Sequence, residues 1–219
     1  VILSEFEAKR LLEEASIPVV PVIAASNPDE AKTAAERTGY PVVLKFSSSR
    51  YTHKTEIGGV FLNLKNEIDL QNAYRSLEEL RDRLDPSGKI ILEAMAPEGA
   101  ELFIGVQRHP QFGPVMSLGI GGVWLELFHD VTFRLLPARD VDFREMLSEL
   151  KTWPKFSKGF RHLPPVDGER IVELMQKVAQ FALSRPQLKE MDLNPIIAGA
   201  SGVSVVDAAI VTIAGIMEA

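Results

Sequence analysis

Cysteine is absent from this 219-residue chain. Its absence excludes disulfides, thiolate nucleophiles and Cys-ligated zinc. Positive charge is not in excess either: 24 Lys and Arg against 30 Asp and Glu give a net charge of −6. A surface that coats nucleic acid needs a basic face, so that class of function is excluded. A small cationic pocket is not. No apolar run approaches the ~18–20 residues that span a bilayer. No charged start followed by an apolar stretch and a cleavage site is visible. These absences point to a cytoplasmic protein with no membrane partner. The chain begins at Val1 rather than Met, which fits a fragment or module of a longer polypeptide as well as a separate subunit.

What is present is ordinary globular material, 46% hydrophobic and 25% charged, enough for one large domain or two small subdomains. Ser4 followed by Glu7 is a capping-box pattern that opens a helix, and Ile17-Pro18 ends it. Residues 19–23 read as an extended edge segment. Asn27-Pro28 starts a second helix that Gly39 stops. Residues 41–46 read as a buried strand ending near Lys45, and Ser47–Gly59 as a polar loop. Val60–Leu64 reads as a strand, Glu67–Leu84 as a helix and Lys89–Glu93 as a strand. The second half reads as an antiparallel meander, with strands at 101–107, 114–119 and 124–128. Helices follow at 143–150 and 168–183, then strands at 188–192 and 203–206. A short helix over Ala208–Met217 closes the chain. The pattern is an α/β (α+β) architecture in two subdomains, 1–95 and 96–219, with a cleft expected between them.

Four clusters carry candidate chemistry. The first is Lys45 at a strand end, followed by His53, Lys54, Gly58 and Gly59. A strand-end lysine can meet a phosphate as a point charge, and glycines let backbone amides approach anions. No Walker-type loop is present. His53 is a candidate acid, base or phosphoryl acceptor, although most loop histidines are none of these. The second cluster is Gly119, Gly121 and Gly122 with Glu126 and Asp130 beyond. It reads equally as an anion pocket or a hairpin turn. The third is Glu190-Met191-Asp192-Leu193-Asn194-Pro195 with Asp207. In a strand, Glu190, Asp192 and Asn194 share one face, and two oxygen-bearing strand ends make a plausible Mg²⁺ site. The competing reading makes Asp207 the N-cap of the closing helix. The fourth is Glu93-Ala94-Met95 with Glu101, a hinge strand able to meet a nucleotide base.

Taken in order, these segments resemble a known family. Val43-Leu44-Lys45 and His53-Lys54-Thr55-Glu56-Ile57-Gly58-Gly59-Val60 look like the phosphate-side segment of the ATP-grasp domain of ADP-forming (NDP-forming) acyl-CoA synthetases. Gln111-Phe112-Gly113-Pro114-Val115, Gly119-Ile120-Gly121-Gly122, Glu190 to Pro195 and Asp207 continue the match along the chain. The succinyl-CoA synthetase β subunit shares the broader layout. The resemblance implies an ATP-grasp fold with the nucleotide cleft between its subdomains. It implies ATP or ADP and Mg²⁺ as ligands, with Lys45 on the phosphates and the Glu93–Met95 hinge on the adenine side. Glu101 would sit near the ribose. Asn194 and Asp207 would hold Mg²⁺ with Asp192 adjacent, and Gly58-Gly59 would shape the phosphate surface. His53 would be an intermediate phosphoryl carrier. The implied partner is a CoA-binding domain or α subunit with the primary phosphohistidine. Departures fall at His109, at His162-Leu163 and at Arg50-Tyr51, on loops rather than on nucleotide or metal ligands. A second reading is a regulatory, non-catalytic region fused to a GNAT-type domain in a protein lysine acetyltransferase. A third, an ATP-grasp carboxylate–amine ligase, is disfavoured by the His-Lys…Gly-Gly segment.

Overall fold

The computed structural model describes residues 1–121, 130–161, 163–200 and 202–213. The expected strand at 124–128, Gly122, Glu126, His162 and the end of the expected closing helix lie outside the described residues. The chain divides into two compact units.

One unit comprises Ile2–Arg10 and Val20–Met95. Its sheet has four strands, β1 (Ile23–Ala25), β2 (Val42–Ser47), β3 (Val60–Leu64) and β4 (Lys89–Ala94), in the order β1-β4-β2-β3. Every pairing is antiparallel, so the helix–strand alternation of the sequence builds an α+β unit. Helices α2 (Pro28–Thr38) and α3 (Glu67–Leu84) are nucleated alike. Asn27 and Asn66 each accept an amide hydrogen bond from the third residue onward, Glu30 or Asp69, which satisfies a helix-end donor that is otherwise unpaired. Ala31, Ala35, Leu70, Tyr74 and Leu77 from these helices pack on Val42, Leu44, Phe46, Ile90 and Leu92. That apolar layer covers one face of the sheet. Alternation sends Val43, Lys45 and Ser47 of β2, and Glu93 of β4, to the other face, which the start of helix α1 (Glu5–Glu14) covers.

The other unit holds Val1, Leu11–Val19 and Ala96–Ala219. Its strands are β5 (Ala100–His109), β6 (Gly113–Ile120), β7 (Val131–Leu135), β8 (Leu188–Gly199), β9 (Gly202–Val205) and β10 (Ala208–Thr212). The order is β10-β8-β5-β6-β7, with β9 pairing β8. Strands β5, β6 and β7 form an antiparallel meander; its first two strands fall where alternation placed them, and β7 follows the expected third at 124–128, which lies outside the described residues. Helices α4 (Asp140–Glu149) and α6 (Gly168–Leu183), joined through the single turn α5 (Trp153–Phe156), supply Phe143, Met146, Ile171, Met175 and Val178 to the core. Leu102, Ile104, Met116, Leu118, Met191 and Leu193 of the sheet are buried with them.

Residues 208–212 form strand β10 rather than a helix, pairing along β8 from Ala208↔Leu193 to Val211↔Glu190. Ala208, Ile210 and Thr212 are buried while their neighbours are half-exposed, a period of two that decides for strand. Asp207 therefore caps no helix. Gly119 is not part of a turn. Gly119 lies within β6, where a Cβ would sit 2.8 Å from the Asp130 carbonyl oxygen, and Gly121 donates its amide to the Glu101 carbonyl. Both positions admit only a small residue. Asp130 accepts the Lys151 and Thr152 amides and the Thr152 hydroxyl, so it is committed to capping the α5 turn. Among the described residues no helix is long and apolar enough to cross a membrane.

Candidate functional site

In the unit built on β1–β4, the expected phosphate lysine is the middle of a buried charge network. The part of helix α1 in this unit buries Glu5, Ala8 and Lys9, the i, i+3, i+4 stripe of an amphipathic helix, with two charged members. Lys45 Nζ donates to Glu5 Oε1 at 2.7 Å and lies 3.0 Å from Glu93 Oε2. Lys9 Nζ donates to Glu93 Oε1 at 2.7 Å. Lys54 Nζ donates to Glu5 Oε2 at 2.6 Å. All five side chains are buried.

Burial disfavours each charge, and proximity to opposite charge offsets it. For Glu5, desolvation pulls the pKa up, but the ammonium groups of Lys45, Lys54 and Lys9 outweigh it and hold the carboxyl down at about 2. Its contribution to stability is therefore present above the ordinary glutamate range and lost as pH falls towards 2. For Glu93 burial wins, and its pKa is raised despite Lys45 and Lys9. Lys9 is lowered, first by burial and then by Lys45.

The network changes the reading of several residues. Glu93 faces Lys9 and Lys45, so its side chain is committed to holding lysines. Of the expected hinge, Ala94 and Met95 are accessible in part, and the Met95 amide donates to the Pro41 carbonyl. The loop glycines close a turn: Gly59 donates to Lys54 O at 2.7 Å and Gly58 to Thr55 O at 3.2 Å. Gly58 has φ +71°, the left-handed region that favours glycine. His53 stands exposed on this turn beside the buried Lys54. Lys54 stands in the phosphate cluster that the sequence marks, whereas Glu5 and Lys9 are members of the network that motif spacing misses. The signal was there, since Glu5 and Lys9 occupy the buried stripe of α1.

In the other unit, the carboxylates meet at the β8–β10 boundary. The Asn194 amide donates to the Asp207 carbonyl at 3.1 Å, and Asp192 pairs with Ala209 across the ladder. Asp192 reaches solvent, yet it is crowded. Partial desolvation, then the charges of Asp207 and Glu190, raise its pKa from 3.8 to about 6. A carboxylate whose pKa neighbouring acids raise is one that a cation would relieve. No set of three His, Cys, Asp or Glu positioned for a metal exists among the described residues. Two carboxylates and an amide oxygen nevertheless suit Mg²⁺, which uses one or two carboxylates plus phosphate and water oxygens. Beside them, a pocket of about 200 Å³ opens over the sheet, lined by Phe103, Gln107, Ser117, Phe133, Glu190 and Asp192 among others. Glu101 is exposed on β5, paired with Ile197.

A titration tests this crowding. Followed by carboxyl NMR in the metal-free chain, Asp192 is expected to titrate near 6. Asp207→Asn removes one neighbouring charge and is expected to move the midpoint towards the ordinary range. Because the folded state holds this proton more tightly, Asp192 favours folding below about 3.8 and loses that contribution as pH rises through about 6. An unchanged midpoint in the variant contradicts the carboxylate coupling.

Residues 1–212 match the family model of the ATP-grasp domain. The β subunit of acetate–CoA ligase [ADP-forming] I from Pyrococcus furiosus is 37% identical over 94% of this chain and 90% of its own length. Acetate–CoA ligase [ADP-forming] I from Archaeoglobus fulgidus is 40% identical over 92% of this chain, which spans only 30% of that longer protein. Among solved structures, acetyl-coenzyme A synthetase 1 of Ca. Korarchaeum cryptofilum, in complex with coenzyme A and Ca-AMPCP, superimposes with a TM-score of 0.90 at 39% identity, covering 96% of this chain and 93% of that one. A second structure of that enzyme holds coenzyme A and Mg-AMPPCP, with a phosphohistidine segment pointing towards the nucleotide site. It matches with a TM-score of 0.82 at 38% identity over 95% of this chain and 92% of that one.

Proposed function

The chain belongs to the ATP-grasp family, in the branch of the ADP-forming acyl-CoA ligases, and from that premise we propose that it is the nucleotide-binding, phosphoryl-transferring part of such a ligase. The observation that carries the reading is the end-to-end match to a stand-alone β subunit. The complete reaction would interconvert acid, CoA and ATP with acyl-CoA, ADP and phosphate. The chain spans under a third of the single-chain relative, so CoA binding and acyl phosphate formation belong to a partner domain or subunit that also carries the primary phosphohistidine.

On this reading the chain's contribution is charge and position. Lys45 would face the nucleotide phosphates, with Glu5 and Glu93 fixing where its ammonium group sits. The backbone at Ala94 and Met95 would meet the adenine, and Glu101 the ribose. Asp207 and Asn194 would hold Mg²⁺, with Asp192 beside it. The ion would neutralise phosphate charge during transfer. His53 would accept the phosphoryl group from the partner's phosphohistidine through a ring nitrogen. As the nitrogen–phosphorus bond breaks, a β-phosphate oxygen of ADP forms the new bond and the imidazole returns neutral. The reverse sequence consumes ATP. Exposure of His53 supports this role, because a carrier must be reachable from both sides.

The relatives reported are ligases, which favours the catalytic reading over the regulatory one. They lend no support to a fused acetyltransferase domain. Calorimetry of the chain with ADP or ATP tests the reading. Binding is expected to strengthen about tenfold or more with Mg²⁺, roughly 1.4 kcal/mol, and Asp207→Asn is expected to abolish that gain. Folded protein that binds neither nucleotide contradicts the proposal. Binding indifferent to Mg²⁺ contradicts the metal assignment.

A further inference from the structure

The Lys54 side chain is buried although both chain neighbours, His53 and Thr55, are exposed. A lysine on a polar loop normally keeps its ammonium group in water, and burying an ion pair is weak evidence for stability by itself. One partner is Glu5, whose two carboxylate oxygens hold different lysines: Oε1 takes Lys45 and Oε2 takes Lys54.

Glu5 is itself firmly held. It is the first residue of α1, where a carboxylate meets the positive end of the helix. The preceding Ser4 and Glu7 form a reciprocal cap, with the Ser4 amide on Glu7 Oε2 at 2.8 Å and the Glu7 amide on Ser4 Oγ at 3.4 Å. The Phe6 amide donates to Ser47 Oγ at 3.0 Å, tying the helix start to the end of β2, two residues from Lys45. On the other side, Lys54 O accepts the Gly59 amide and Gly59 O accepts the Phe46 amide. Tyr51 and Ile57 rest on the apolar core. The turn carrying His53 is thus fastened at its base by backbone and at its crown by Lys54.

We propose that Glu5 is a positioning residue that joins Lys45 to the His53 turn through Lys54, so that the phosphate-side lysine and the carrier histidine hold a fixed register. This rests on the roles assigned above to Lys45 and His53. Glu5 touches neither substrate nor phosphoryl group; it acts through the two lysines. Lys54 is the arm that reaches the loop, and its removal separates loop position from nucleotide contact.

The test uses the complete enzyme, this chain with its partner, carrying Lys54→Met, Glu5→Gln or both. Two readouts are taken on folded samples: amide hydrogen exchange of residues 52–59, and the rate at which His53 gains acid-labile phosphate from MgATP. Lys54→Met is expected to speed loop exchange about tenfold or more. It should slow His53 phosphorylation by a similar factor while nucleotide affinity stays within about twofold. Glu5→Gln is expected to weaken nucleotide binding as well. The double variant should phosphorylate His53 no more slowly than Glu5→Gln alone, since one tie cannot be cut twice. Unchanged loop exchange in Lys54→Met overturns the tie. Faster exchange with unchanged His53 phosphorylation overturns the positioning role. Wild-type enzyme that never phosphorylates His53 removes the carrier assignment and the catalytic part of the proposal with it, while exchange still decides the tie.

Discussion

Glu93→Ala is expected to destabilise the chain by about 3–5 kcal/mol, the cost of removing one partner from a buried ion pair. Glu93 is 1% exposed and faces Lys9 and Lys45. Its loss leaves two ammonium groups in a protein interior, each partly uncompensated and each repelling the other. Such a loss is a large share of a domain's whole stability, so a shift of this size decides whether the chain folds at physiological temperature. Urea unfolding of the variant measures it. Removing Lys9 as well, in Glu93→Ala/Lys9→Met, is expected to recover part of the loss, because an absent pair costs less than a broken one. A loss below about 1 kcal/mol in the single variant would mean that water reaches these lysines and that the network is no interior feature.

His53→Ala is expected to behave in the opposite way. His53 is exposed, so the fold should barely register its loss, within about 0.5 kcal/mol. Nucleotide affinity should also hold. Turnover of the complete ligase is expected to fall on the order of a thousandfold or more, as when a covalent carrier is deleted. Stability and activity would then be carried by different residues of one small region: the buried glutamates keep the lysines in place, and the exposed imidazole moves the phosphoryl group. Steady-state turnover measured beside a melting curve separates the two. Full activity in His53→Ala would mean that the partner's phosphohistidine reaches the nucleotide unaided.

Much of this was legible in the sequence wherever local chemistry decides structure. Asn27, Asn66 and Asp167 are side-chain helix caps, and the helices at 67–84 and 168–183 lie where their caps and apolar periods put them. Legibility fell where tertiary pairing overrides propensity. Residues 208–212 are Ala-Ala-Ile-Val-Thr, short enough to read either way until β8 offers an edge. Strand β7 lies beyond the expected strand at 124–128, although Val131, Phe133 and Leu135 alternate with Thr132 and Arg134. Strand β8 runs on through Pro195 to Gly199. A proline usually ends a strand, but here β5 shifts register between Leu102 and Ile104 and pairing continues. At the site, Lys45 was readable because a charge ended an apolar strand. Its partners were not, because ion pairs across 40 residues leave no spacing rule. Only the charges on the buried stripe of α1 hinted at them.

Transfer of a phosphoryl group between nucleotide and His53 is tested most directly by one labelling experiment. Complete enzyme is mixed with MgATP labelled in the γ-phosphate, quenched in alkali to preserve phosphohistidine, and mapped by mass spectrometry. Unlabelled MgADP is then added to a second sample. The account predicts label on His53 that is acid-labile, absent from His53→Ala and returned to ATP by the ADP chase. Label confined to the partner's histidine, with none on His53 at any time point, would contradict it.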